Sequence, residues 1–211
     1  MNPDALQSLD TTQLVALAAA LGWASGLRLY AVLLLTGLVG YAGWVPLPGG
    51  LQVLQHPAVL AASGFMFALE FLADKVPGID SLWDLLHTLV RIPAGAALAA
   101  AVFGADDGTA ALLAALLGGT LAATSHGAKA TARAAVNTSP EPFSNIGLSL
   151  LGDAAVPSVL WLAVTHPLLG IAAVALAVVA MWLLLWVLAK FLRRVWLRLR
   201  LLLGRPASSV A

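Results

Sequence analysis

Apolar residues dominate the chain in six long runs, which are separated by short breaks rich in proline and glycine. The runs cover about 13–44, 57–73, 82–104, 109–125, 146–165 and 168–190. A helix needs about 20 apolar residues to cross the hydrocarbon core of a bilayer, and every run except the first is close to that length. The pattern predicts an all-α fold, a polytopic transmembrane bundle of about six helices.

The first run is too long for one crossing and too short for two. It is also interrupted by Ser25, Gly26 and Arg28. We expect a tilted, kinked or broken helix in this segment, and the sequence does not decide its path.

Composition places the rest of the chain in lipid as well. Of the 211 residues, 61% are hydrophobic and 10% are charged, which is far from the composition of soluble domains. Residues 1–205 are predicted to form a single transmembrane domain, followed by a short flexible tail at 206–211. The absence of cysteine excludes disulfides and thiolate chemistry, and the net charge of +1 suggests no nucleic-acid partner.

The basic residues predict an orientation. Six of the eleven Lys and Arg residues fall between positions 190 and 205, which indicates a cytoplasmic C-terminus in the cell inner membrane. If the six segments alternate, the breaks at 74–81 and 126–145 also face the cytoplasm. Those breaks contain Lys75, Lys129 and Arg133, whereas the opposite connections contain no Lys or Arg. Six crossings with both termini inside fit this pattern best.

A weak internal repeat is present at an offset of 63 residues, where Pro77 aligns with Pro140 and Ser81 with Ser144. Each unit would be a helical hairpin that turns on the cytoplasmic side, and two such hairpins would form a pseudo-symmetric core of the transporter type. The alternative is that membrane hairpins in general tend to turn at proline and serine.

Charged and polar residues recur at helical spacing in the middle of the chain. One stripe is Asp80, Asp84, His87 and Arg91, and a second is His126, Lys129, Arg133 and Asn137. A charge at the bilayer centre costs about 2.5 to 3.5 kcal/mol, so we expect these stripes to face one another or water. The predicted ion- or substrate-binding residues are Glu70, Asp74, Lys75, Asp80, Asp84, His87, Arg91, His126, Lys129, Arg133, Asn137 and Glu141.

Several chemical roles remain open for this set. One alternative is a buried salt-bridge network that fixes helix register, which could account for most of the residues but not for the like-charge pair of Asp80 and Asp84. Asp80, Asp84 and His87 could ligate a divalent cation, although their spacing matches no specific metal signature. His87 and His126 could relay protons, and Ser81 with Asp84 fits a capping box that does no more than begin a helix.

Small residues predict a close helix contact. Gly119, Ala123 and Gly127 recur every four residues. Such a small-xxx-small run lets two membrane helices approach closely.

Five short strings carry a family resemblance. They are GLRLY at 26–30, EFLADKVP at 70–77, Asp-Ser and Trp-Asp within 80–84, HGAKA at 126–130 and NTSPEP at 137–142. Together they resemble an uncharacterised family of bacterial integral membrane proteins, the domain of unknown function DUF4126, over about residues 13–165. The resemblance implies a membrane protein centred on these polar motifs and supplies no activity. This chain has Gly152 where the family usually has an acid before the position of Asp153.

The leading hypothesis is a small transporter or channel for an ion or small polar solute. The acids at 70, 74, 80 and 84 would be cation or proton sites, with His87 and His126 as proton carriers. Arg91, Lys129 and Arg133 would balance the charge or hold an anion.

Two other classes compete with this hypothesis, and the sequence does not decide whether the protein is an enzyme. A metal-dependent membrane enzyme would hold its metal on Asp80, Asp84 and His87 and grip a phosphorylated lipid with Lys129 and Arg133. A membrane scaffold would use the charged network only for structure. The expected partners are membrane lipid and a small ion or polar solute, and a homo-oligomer is compatible with the sequence.

Overall fold

The computed structural model describes residues 9–76, 78–104, 107–137 and 143–203. Within those ranges every element of regular secondary structure is a helix, which confirms the predicted all-α fold. The elements in order are α1 (Thr11–Tyr41), a 3-10 helix (Gly49–Gln55), α2 (Pro57–Ala73), α3 (Ile79–Phe103), α4 (Gly108–Val136), α5 (Phe143–Thr165) and α6 (Pro167–Leu203). Pro77, Pro140 and Glu141, and the predicted tail at 206–211, lie outside the described residues, so the internal repeat stays a prediction.

Five helices, α1 and α3 to α6, are long and apolar enough to cross a membrane. The 3-10 helix and α2 form a further candidate span, bent by 71° between them. The described chain therefore has five to six candidate spans, as expected of a multi-pass membrane protein. Which membrane it occupies, and which side its C-terminus faces, stay predictions.

Local sequence explains where several helices begin and end. Asp10 caps α1 by accepting a hydrogen bond from the Gln13 backbone N–H at 2.8 Å, and the Gln13 side chain accepts in return from the Asp10 N–H at 2.9 Å. Asp107 caps α4 through the Ala110 N–H at 2.9 Å. α3 is followed directly by Gly104, whose φ of 67° suits a residue without Cβ.

The first helix is broken at Arg28, whose φ of −146° and ψ of 76° are not helical. Its two halves run in opposite directions. Leu17 from the first half and Val39 from the second line one cavity together with Leu160 of α5. Arg28 instead donates to the Ser149 hydroxyl, near the opposite end of α5, at 2.8 Å.

These contacts make α1 a helical hairpin with Arg28 at its tip. Gln13 Nε2, near the beginning of α1, donates to the Val164 carbonyl at 3.3 Å. Since a helix rises 1.5 Å per residue, Ser149 and Val164 are about 22 Å apart along α5. Residues 16–29, which lead up to and include the break, are all buried, so the irregular backbone is shielded by the surrounding helices.

The hairpin bears on the predicted topology. α1 enters and leaves at the end of the bundle where α5 ends, whereas α6 starts at that end and runs toward the other. Its 37 residues are about 55 Å long. The start of α1 and the end of α6 therefore lie toward opposite ends of the bundle, an arrangement that differs from the predicted alternation of six crossings with both termini on one side.

Close backbone contact holds the hairpin against α3 and α4. A Cβ at Gly22 would collide with the Gly118 backbone, and a Cβ at Gly118 would collide with Ala99 and with the Gly95 carbonyl. Ser125 of α4 also donates to the Trp23 carbonyl at 2.7 Å. Three helices therefore meet where only glycine fits.

This contact lies one residue earlier in α4 than the sequence predicted. The tight positions are Gly118 and Ala122, whereas a Cβ at Gly127 would meet nothing within 4 Å. A Cβ added to Gly119 would lie 3.3 Å from the Ala96 Cβ. Spacing alone finds a small-residue run but does not fix the rotation of the helix that carries it.

Gly118→Val is expected to lower the stability of the fold by about 1 to 3 kcal/mol, because the added side chain overpacks the three-helix contact. Gly127→Val is the matched control, since it makes the same change in the same helix in open space. Thermal unfolding of the two variants in detergent micelles measures the difference. Equal melting temperatures would contradict the assigned contact.

Candidate functional site

Asp74 lies just beyond α2 and is completely buried. Its carboxylate forms ion pairs with three cations. Arg28 Nη1 lies 2.5 Å from Oδ2, Lys129 Nζ lies 3.1 Å from Oδ2, and Arg133 Nη1 lies 2.7 Å from Oδ1. The tip of the α1 hairpin and the second half of α4 therefore meet on one acid.

Arg91 of α3 is a second centre and is also completely buried. Its Nη2 lies 2.6 Å from Glu70 Oε1, and its Nη1 lies 2.6 Å from Asp84 Oδ1. Asp84 also pairs with Lys129 at 3.1 Å and with Arg133 at 3.5 Å. Because Lys129 and Arg133 contact both Asp74 and Asp84, the two centres form one network.

Asp153 of α5 extends this network. It pairs with Arg28 at 2.7 Å and with Lys75 at 3.4 Å. Lys75 also lies over the Phe71 ring, 3.0 Å from its centroid. Arg28, Ser149 and Asp153 were not in the predicted binding set. The signal for two of them was present in the sequence, since Arg28 interrupts one apolar run and Asp153 another.

Asp80 occupies the beginning of α3. Its Oδ1 accepts from the Gly78 N–H at 2.9 Å and the Ser81 N–H at 2.6 Å, and the Asn137 amide donates to the same carboxylate. The predicted capping box is therefore wrong, because Asp80 binds the first backbone N–H groups while Asp84 belongs to the ion-pair network. Arg133 lies 3.9 Å from Asp80 and reduces the repulsion between the two acids.

His87 lies apart from the acids with which it was grouped. One ring nitrogen contacts the Trp83 carbonyl at 2.8 Å and the other the Tyr30 hydroxyl at 3.2 Å, and the ring stacks on Trp83. Within the described ranges, no three His, Asp or Glu side chains are arranged to hold a metal ion. The predicted metal site of Asp80, Asp84 and His87 is therefore not assembled, because the three side chains have different partners.

His126 belongs to the network. Its Nδ1 lies 3.3 Å from Arg91 Nη1 and its Nε2 lies 2.7 Å from the Thr88 hydroxyl. Since arginine can only donate, Nδ1 is the acceptor and Nε2 carries the proton in the neutral ring. Thr88 in turn donates to the Asp84 carbonyl at 2.9 Å. The chain of contacts thus fixes the histidine tautomer.

The network is electrically balanced. Among the described residues it contains five acids and five bases, and each has an opposite charge within 4.0 Å. The acids are Glu70, Asp74, Asp80, Asp84 and Asp153, and the bases are Arg28, Lys75, Arg91, Lys129 and Arg133. Of the predicted binding residues, the structure brings together all except His87, which lies apart, and Glu141, which is outside the described ranges.

A cavity of about 330 Å³ adjoins the network between α1, α4, α5 and α6, within the size range of small-molecule pockets. Its polar lining consists of Arg28, Asp74, Lys129, Arg133 and Ser149. The part contributed by α5 and α6 is otherwise apolar and consists of Leu148, Leu151, Gly152, Ala155, Ala177, Ala180, Met181 and Leu184. The cavity therefore has a charged wall and an apolar wall.

Fold and site together define a multi-pass α-helical membrane protein with a neutral network of buried acids and bases around a hairpin tip. Residues 15–189 match the family model described as Domain of unknown function (DUF4126). The chain belongs to this family, which confirms the resemblance seen in the sequence motifs. No curated protein and no solved structure matches the chain significantly.

Proposed function

We propose that the protein is a small membrane transporter or channel that moves an ion or small polar solute through a site at the tip of the α1 hairpin. The observation that carries the proposal is the break at Arg28, beside both the ion-pair network and the cavity. Broken helices that end inside the membrane form the substrate sites of many transporters. Irregular backbone at that depth is tolerated only where protein or a cavity surrounds it.

The arrangement of the ion pairs also supports the transport proposal. Lys129 and Arg133 each lie between Asp74 and Asp84. Each cation can strengthen its contact with one acid while it weakens the other, so two arrangements of the network can have similar energies. Discrete arrangements of this kind are what a transport cycle requires.

A membrane scaffold is the second candidate, and one observation favours it. Every charge of the network already has a partner, as expected when the pairs serve only to fix helix positions. The metal-dependent enzyme has less support, because its proposed ligands are not assembled. A flux measurement separates the first two candidates.

Flux is measured in proteoliposomes for potassium, chloride, protons and hexanoate, with protein-free liposomes as the baseline. The wild type is expected to increase the flux of at least one of these solutes. Ala180→Phe is expected to return that flux close to the baseline, because Ala180 lines the cavity and is exposed on α6, where a larger side chain fills the cavity without disturbing a packed core.

Ala172→Phe is the matched control. It makes the same substitution at an exposed position of the same helix, and Ala172 does not line the cavity. Wild-type flux at the baseline for every solute would contradict the transport proposal and favour the scaffold. Equal flux in the two alanine variants would contradict the assignment of the path to this cavity.

A further inference from the structure

We propose that the cavity binds an anionic group, a carboxylate or phosphate, carried on a short apolar body. This inference rests on the proposed function, since it names the substrate class of the same site. Three observations carry it: an unused edge of Arg133, an excess of donors along the charged wall, and an apolar wall that opens toward lipid.

Arg133 has only part of its guanidinium engaged. Nη1 pairs with Asp74, whereas Nε and Nη2 have no hydrogen-bond partner among the residues that the structure describes, although the side chain is only 1% exposed. Leaving buried donors unpaired is unfavourable by about 1 to 3 kcal/mol. Nε and Nη2 form one edge of the guanidinium and point two N–H groups in parallel, the geometry that binds two oxygens of a carboxylate or phosphate.

The other polar groups along the cavity also favour an anion. Its ionisable residues are three cations and one acid, Asp74, which already contacts all three. Trp23 lines the cavity as well, and its buried indole N–H has no hydrogen-bond partner within the described ranges. A ligand that supplies hydrogen-bond acceptors would satisfy these donors, whereas a cationic ligand would offer them no acceptor.

The apolar wall indicates the rest of the ligand. Leu151 of α5 and Leu184 of α6 line the cavity and are also 67% and 39% exposed on the outside of the bundle. In a membrane the outside of the bundle is hydrocarbon, so the cavity is accessible between α5 and α6 to a molecule dissolved in the bilayer. A ligand with an apolar body fits this wall, and a bare inorganic anion leaves it empty.

Binding is tested by titration calorimetry on the full chain in phosphatidylcholine nanodiscs, with hexanoate, acetate and hexylamine as probes. Hexanoate is expected to bind more tightly than acetate because of its apolar chain, and hexylamine is expected not to bind at the site. Arg133→Lys keeps the positive charge beside Asp74 but loses the paired N–H edge, so it should weaken hexanoate binding about tenfold or more.

Two tryptophan variants provide a matched comparison that does not alter the ion pairs. Trp23 and Trp83 both have a buried indole N–H without a hydrogen-bond partner in the described part of the chain, but of the two Trp23 alone lines the cavity. Trp23→Phe is expected to weaken hexanoate binding about threefold to tenfold, and Trp83→Phe is expected to leave it unchanged. Equal effects of the two substitutions would overturn the assigned site.

A lipid headgroup and a free carboxylate present the same chemistry, and competition distinguishes them. Nanodiscs that contain phosphatidic acid are expected to weaken hexanoate binding if the lipid is the natural occupant, and to leave it unchanged if the ligand is a soluble amphiphile. Either result agrees with an anion site. Hexylamine binding as tight as hexanoate, or no hexanoate binding, would overturn it.

The outcomes also separate this inference from the proposed function. Hexanoate binding without flux of any solute would leave the anion site standing and contradict transport. Flux of potassium or protons through a protein that does not bind hexanoate would contradict the anion site alone.

Discussion

Asp74→Ala is expected to destabilise the protein by about 3 to 5 kcal/mol, because removing one member of a buried ion-pair network leaves its partners uncompensated. Arg28, Lys129 and Arg133 would all lose a contact. Arg28 would keep Asp153, and the other two would keep Asp84, so five cations would face four acids. The measurement is thermal unfolding of the purified protein in micelles, followed by size-exclusion chromatography.

Asp10→Ala is the control for the loss of one carboxylate. Asp10 caps α1 and lies outside the network, so its removal should cost about 1 kcal/mol, as for other helix caps. A similar melting temperature for the two variants would show that Asp74 is not a centre of the fold, and the assembly of the hairpin tip on this acid would then be wrong.

Arg91→Met is expected to destabilise the protein by a similar amount, about 3 to 5 kcal/mol. This substitution removes a buried cation, whereas Asp74→Ala removes a buried acid. Glu70 would lose its ion-pair partner and Asp84 one of three. Met fills a comparable volume, so the loss would come from unpaired acids more than from a cavity. The same unfolding measurement applies, with Arg194→Met at an exposed position of α6 as the control.

A second substitution identifies the cause of this loss. Adding Glu70→Gln to Arg91→Met removes the charge that the first change leaves unpaired. The double variant is therefore expected to be more stable than Arg91→Met alone, and a double-mutant cycle gives the coupling between the two residues. Additive losses would contradict a direct Glu70–Arg91 pair.

Helical spacing predicted part of the site. Asp84 and Arg91 are seven residues apart, which placed them on one face of a helix, and they form a pair at 2.6 Å. The second stripe of α4 was expected to face the first because charges avoid lipid, and Lys129 does reach Asp84. Such contacts can be predicted because they depend on helical periodicity and on the free-energy cost of exposing a charge to lipid. Both can be read from a short stretch of sequence.

Other site features depend on neighbours that are distant in the chain. His87 lies at helical spacing from Asp84, yet its ring lies between Trp83 and Tyr30 of α1. The sequence therefore suggested a metal ligand where the structure has an aromatic contact. Spacing defines the face of a helix but not which element packs against it.

The sequence by itself determined that the chain is a helical membrane protein, because long apolar runs can satisfy their backbone groups in lipid only as helices. It also determined that the central charges must be shielded from lipid. Only the tertiary structure decided that α1 returns at Arg28 and brings this residue to Asp74. The physical reason is that an apolar run of this length satisfies its hydrogen bonds equally well as a tilted helix or as a hairpin, and contacts of both halves of α1 with the rest of the bundle distinguish the two.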